Sequence, residues 1–125
     1  MIEIEFENRS GVAVNEGAVV AVCHDVLAAE GIESGDLGVA FACHEEMRGL
    51  KREHLGDNEA TDVLSFPIDG RDELPDGIPR QLGDVVLCPE VVGDAWQGPL
   101  VHGLLHLLGY EHGAEMSRRE AELGR

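Results

Sequence analysis

Three histidines fall within the stretch VHGLLHLLGYEH, at positions 102, 106 and 112, and imidazole is both a common metal ligand and an acid or base near neutral pH. On an α-helix, residues four apart share a face with Cβ atoms about 5–6 Å apart, so His102 and His106 can reach one ion. His112 cannot join them by continuing the helix, which would carry it about 15 Å along the axis when a Zn–N bond is only about 2.0–2.1 Å. The chain must turn back. Gly109, three residues after His106, ends a helix in the left-handed conformation without a Cβ penalty. The spacing therefore predicts a helix that stops near Gly109 and one ion, zinc, bound per chain by His102, His106 and His112. Three protein ligands leave a fourth position open, as in catalytic rather than structural zinc sites, and hydrolysis is the natural class of reaction.

The same spacing, with glycine seven residues after the first histidine, reproduces the ligand part of the metzincin protease motif HExxHxxGxxH. In those proteases the residue after the first histidine is the glutamate that acts as general base. Here it is Gly103. The scaffold keeps the ligands and lacks the proteolytic base.

Alternating periodicities surround this helix and predict an α/β (α+β-like) fold, a single domain spanning 1–125. Ile2 to Glu7 alternates like a strand. From Glu16 to Glu30, Val19, Val20, Cys23, Val26 and Leu27 recur at helical spacing, with Asn15 as N-cap and Gly31 beyond the end. Leu37 to Cys43 reads as a second strand and His44 to His54 as a short polar helix ending at Gly56. Thr61 to Phe66 and Leu82 to Cys88 are apolar runs closed by Pro67 and Pro89, the pattern of largely buried strands. The segment DGRDELPDGIPRQ between them lacks periodicity and reads as a mobile surface excursion. Pro99 marks the first turn of the histidine helix, and Ala114 to Leu123 adds a charged helical tail.

Composition restricts the partners. The 25 acidic against 9 basic residues give a net charge of −16, which repels polyanions, so any nucleic-acid function needs a local basic patch. No apolar run is long enough to cross a bilayer, so no membrane is expected. The N-terminus MIEIEFENRS reads as a strand rather than a signal peptide, which points to the cytoplasm. Cys23, Cys43 and Cys88 are odd in number and lie in apolar surroundings, as reduced, buried thiols do.

TDVLSFP (61–67), LGDVVLCPEV (82–91) and VHGLLHLLGYEH (101–112), in this order, resemble the signature stretches of the YbeY family of single-strand-specific endoribonucleases, rRNA maturation factors of bacteria. The resemblance covers most of the chain. It implies a mixed, four-stranded sheet packed by helices, with the metal site at the end of the penultimate or last helix and zinc held by the three motif histidines. It also implies metal-dependent cleavage of single-stranded RNA in 16S rRNA 3′ end processing and ribosome quality control. The implied partners are the small ribosomal subunit and a small-subunit ribosomal protein, and the family's nuclease-linked histidine falls on His102.

Three departures accompany the resemblance. The family often has an arginine six residues before the threonine of TDVLSFP, and here that position is Leu55; Lys51 and Arg52 lie nearby and are the candidate phosphate contacts. A solvated helix-end arginine explains Arg52 equally well. The connection Gly93 to Leu100 is short, and Glu111 replaces the usual aspartate, either supporting a ligand histidine or pointing into solvent. Elsewhere Ser65 reads as structural, Thr61 and Asp62 as partners for backbone donors, His24 as a packed or surface residue, and His44 and His54 as surface residues or, less favoured, as lining of the cleft. Trp96 is either core or a base-stacking platform. The expected function is a zinc-dependent endoribonuclease. The alternatives are a non-nucleolytic, zinc-stabilised ribosome-assembly factor, favoured by Leu55 and the net charge, and another zinc hydrolase of metalloprotease type, disfavoured by Gly103.

Overall fold

The structure, a computed structural model, describes residues 2–55, 63–110 and 113–123, the side chains of His54 and Leu55 excepted. Strand β1 (Ile2–Asn8) follows its alternation, with Ile2, Ile4 and Phe6 half-buried and the intervening glutamates exposed. Helix α1 (Glu16–Ala29) begins where Asn15 Oδ1 accepts the Ala18 N–H at 3.0 Å. Its buried stripe is Val19, Val22, Cys23, Val26 and Leu27, with Val22 in place of the expected Val20.

Strand β2 (Gly35–Phe41) starts two residues before the expected Leu37 and ends two before Cys43. Gly35 and Asp36 have weak strand propensity, but the parallel ladder with β1 runs from Ile2 opposite Gly35 to Asn8 opposite Phe41. Backbone pairing overrides local preference there. Helix α2 (His44–Leu55) follows, then strands β3 (Val63–Pro67) and β4 (Gln81–Leu87), which pair antiparallel. Thr61 and Asp62 lie outside the described residues. After β4 comes α3 (Pro89–Val92), a single turn with Pro89 at its first position, too short for a periodicity of its own to show in the sequence. Helix α4 (Gln97–Leu107) places Pro99 in its first turn, and α5 (Ala114–Glu122) closes the chain.

The sheet order is β1-β2-β4-β3, with β1, β2 and β4 parallel and β3 an antiparallel edge, so the sheet is four-stranded and mixed as expected. Alternation along β2 and β4, with a register shift in β4 between Gln81 and Gly83, sends Leu37, Val39, Phe41, Leu82, Val85 and Leu87 into a core shared with α1, α4 and Met116 of α5. Ala42, Leu64, Val86 and Cys88 point the other way, under Met47 of α2. Helices α2 and α4 thus lie on opposite faces.

The segment after β3 is largely exposed, as expected of a surface excursion, but it is tied down rather than loose. Asp69 and Gln81 exchange backbone and side-chain bonds at 2.8 and 2.7 Å, and Arg80 donates to Gly70 O and Asp72 O at 2.6 and 2.8 Å. Satisfied backbone groups are what hold a segment that buries little apolar surface.

Candidate metal centre

Helix α4 is oriented by burial. Leu100, Val101, Leu104, Leu105 and Leu107 pack into the core, each large side chain contributing about 1.5–3 kcal/mol, and this turns His102 and His106 toward the half-exposed side. Their ring centroids lie 4.7 Å apart with an interplanar angle of 82°. His102 Nδ1 is 3.0 Å from Glu120 Oε1, and His106 Nδ1 is 2.9 Å from the carbonyl oxygen of Tyr110. A carbonyl and a carboxylate oxygen only accept, so the ring proton sits on Nδ1 in both histidines and Nε2 is the nitrogen that would take a metal. The donor set fits zinc on this ground. Among the described residues no group of three His, Cys, Asp or Glu forms a ligand cluster; His112, the third expected ligand, and Glu111 lie outside the described residues.

The helix ends as its sequence predicts. The Gly109 N–H bonds His106 O at 3.1 Å and the Tyr110 N–H bonds Leu105 O at 3.0 Å, the paired bonds of a Schellman motif. Gly109 has φ +98°, which a residue with a Cβ adopts only under strain. The turn also delivers the Tyr110 carbonyl to His106, so one local device both stops the helix and fixes a ring.

The partner of His102 arrives from farther along the chain. Met116 is the buried anchor of α5, and Glu120, four residues on, shares its face. A carboxylate on the anchored face of a charged helix is the one sequence signal that could have found Glu120. Next to it, Arg119 binds Glu30 at the C-cap of α1, as does Arg71 at 2.6 Å. Tyr110 also lies near enough to Glu30 to help hold its carboxyl down, and the sequence pointed to neither Glu30 nor its partners.

Gly103 leaves no room for the glutamate that metalloproteases carry after the first histidine. A Cβ there would lie 2.8 Å from Val85 Cγ1 and 3.1 Å from Ser65 Oγ, so the position after the first histidine faces the sheet and cannot carry a general base. Ser65 is structural, its hydroxyl donating to Gly103 O at 3.2 Å. Trp96 packs half-buried against the core, and His24 and His44 are exposed. Lys51 is half-buried and Arg52 exposed on α2, across the sheet from α4. Cys23 and Cys88 are buried and Cys43 partly so, none of them in a disulfide, and burial pushes the Cys23 thiol up to about 12. A recess of about 740 Å³ lies on the α2 side of the sheet, bordered by Glu5, Glu7 and Asp84 and, among the described residues, by no histidine.

Known proteins resemble this chain over most of its length. The family described as Endoribonuclease YbeY matches residues 3–123. The chain is 38% identical to Endoribonuclease YbeY of Halorhodospira halophila over 97% of its own length and 87% of that protein's. It is 45% identical to the protein of the same name from Tropheryma whipplei over 67% of this chain and 56% of that one. The solution structure of TM1509 from Thermotoga maritima shares the fold, with a TM-score of 0.57 and 21% identity across 98% of this chain and 86% of that one. A match across nearly the whole chain, with both described motif histidines set side by side on α4, makes this chain a member of the YbeY endoribonuclease family.

Proposed function

We propose that the protein is a zinc-dependent, single-strand-specific endoribonuclease of the cytoplasm. In this reading it acts in 16S rRNA 3′ end processing and ribosome quality control, together with the small ribosomal subunit and a small-subunit ribosomal protein. His102, His106 and His112 hold one zinc per chain, and His102 is the ligand tied to cleavage. The observation that carries this reading is the matched pair of Nδ1 hydrogen bonds, to Glu120 and to Tyr110 O, which present both Nε2 atoms as ligands. Zinc held there supplies Lewis-acid polarisation of a phosphoryl oxygen. Glu120 orients the His102 ring and raises its basicity. Lys51 and Arg52 are the phosphate contacts in place of the arginine that Leu55 replaces. A strand of RNA crossing the β3 edge would meet α4 on one face of the sheet and α2 on the other. Among the described residues no helix is long and apolar enough to cross a membrane.

The net charge of −16 favours a second reading, a non-nucleolytic assembly factor in which zinc only stabilises the fold. Metal analysis alongside cleavage of single-stranded and duplex RNA separates the two. The expected result is about one zinc per chain, cutting of the single strand only, loss of cutting in His102→Ala and loss of zinc in His106→Ala. Zinc bound by a wild type that cuts no RNA selects the assembly factor, and a folded protein that takes up no zinc removes both.

A further inference from the structure

Glu30, the C-cap residue of α1, has a side chain only 2% exposed, yet it is a carboxylate with both oxygens engaged. Oε1 accepts from Arg71 Nη2 at 2.6 Å, Oε2 accepts from Arg119 Nε, and Tyr110 lies near enough to help hold the same carboxyl down. A buried ion pair is weak grounds for stability, because apolar residues of similar volume often serve as well, whereas fixing the register of packed elements is its best-attested use. Here the partners come from three segments: the loop after β3, the turn after α4, and α5. Arg71 also donates to Leu108 O at 3.3 Å and to Glu30 O at 3.1 Å, gripping the end of α4. Arg119 donates to Ala29 O at 2.9 Å, tying α5 to the end of α1. Both acceptors of the imidazole protons hang from this assembly. Tyr110 supplies the carbonyl that faces His106, and Glu120 follows Arg119 in the chain.

We propose that Glu30 is a positioning residue for the metal site, clamping Tyr110 and α5 at the places from which Tyr110 O and Glu120 Oε1 orient the two imidazoles. The inference rests on the zinc reading above and assigns the orientation of the two described ligands to a carboxylate that touches neither. Glu30→Gln keeps the shape and removes the charge. Arg119→Gln cuts the same link from α5, where the side chain is 24% exposed and the fold bears the loss more easily. Val39→Ala, a core truncation on β2, controls for a general loss of stability.

Two readouts apply, at a temperature where every variant is folded. The first is zinc affinity by competition with a chromophoric chelator. The second needs no metal: the long-range proton–nitrogen correlation spectrum of the histidine rings shows which nitrogen carries the proton when the imidazoles are neutral. Wild type should bind one zinc and show Nδ1–H tautomers at His102 and His106. Glu30→Gln and Arg119→Gln should weaken zinc binding by about tenfold to a hundredfold and mix the tautomers, while Val39→Ala leaves both unchanged. Unaltered affinity and tautomers in either hub variant, beside a wild type that binds zinc, overturn this role and leave the zinc reading standing. A wild type that takes up no zinc overturns both.

Discussion

At position 103 the chain does without a side chain because α4 lies directly on the sheet. A methyl group placed there would meet Val85 Cγ1 at 2.8 Å and Val63 Cγ2 at 3.1 Å, and both belong to branched side chains on paired strands with little room to move. Gly103→Ala is expected to cost about 1–3 kcal/mol through overpacking, read as a lower urea midpoint. A midpoint equal to wild type would show that α4 is less closely seated than the distances imply. Glu30 carries a second residue-scale signature. Burial pushes its carboxyl up, but the hydrogen bond from Arg119, the nearby Tyr110 and the charges of Arg119 and Arg71 outweigh burial and hold it below the ordinary value. A depressed carboxyl contributes stability that is complete above its unfolded value, about 4.3, and is lost as pH falls through the lower folded value. The stability gap between wild type and Glu30→Gln should therefore be full at neutral pH and shrink below about pH 4. A gap that does not change between neutral and acid urea titrations would assign the effect to shape instead of charge.

Among the elements, α4 and its terminal turn matter most, since one turn stops the helix and sets the His106 ring. Gly109 has φ +98°, and a Cβ there imposes strain of about 1–3 kcal/mol although none of the described residues crowds it in space. Gly109→Ala is expected to lower stability by roughly that amount and to loosen zinc binding. Gly49→Ala makes the contrasting case. Gly49 lies inside α2 with nothing within 4 Å of an added Cβ, so helix propensity alone predicts a gain of about 0.5–1 kcal/mol. Thermal melts and chelator competition on the pair check both; a Gly109→Ala protein as stable and as zinc-avid as wild type would detach the left-handed turn from the site.

For the whole molecule the question is how a chain of net charge −16 meets a polyanion. Arg9, Arg71, Arg80 and Arg119 are committed to carboxylates or carbonyls of the fold. Arg48, Lys51 and Arg52 share one stripe of α2 at helical spacing, which makes this helix the place where a local patch can work against the global field. Single-stranded RNA affinity should therefore fall as salt rises, and Lys51→Ala with Arg52→Ala should flatten the log–log slope by about 1.4, or 0.7 for each phosphate no longer neutralised. Affinity that instead improves with moderate salt would mean that screening of the overall repulsion dominates. An unchanged slope in the double variant would remove both residues from RNA binding.

Near neighbours in the chain settle a first set of features among themselves, and these are legible in the sequence. His102 and His106 share a face because they are four apart, Gly109 ends their helix by a turn of its own backbone, and Asn15 caps α1 from three residues away. The four-stranded sheet was legible through alternation and family resemblance, although β2 shifted by two residues because its ends are set by pairing with β1. The supporting shell of the site was not legible. Glu120 meets His102 across 18 residues, and Glu30 meets Arg71 and Arg119 across 41 and 89. In the sequence these are members of a pool of 25 acids, chemically alike and differing only in what packs around them. Only the tertiary structure decides which of them is buried and which cation it faces, because burial is a property of the packed chain and not of the residue.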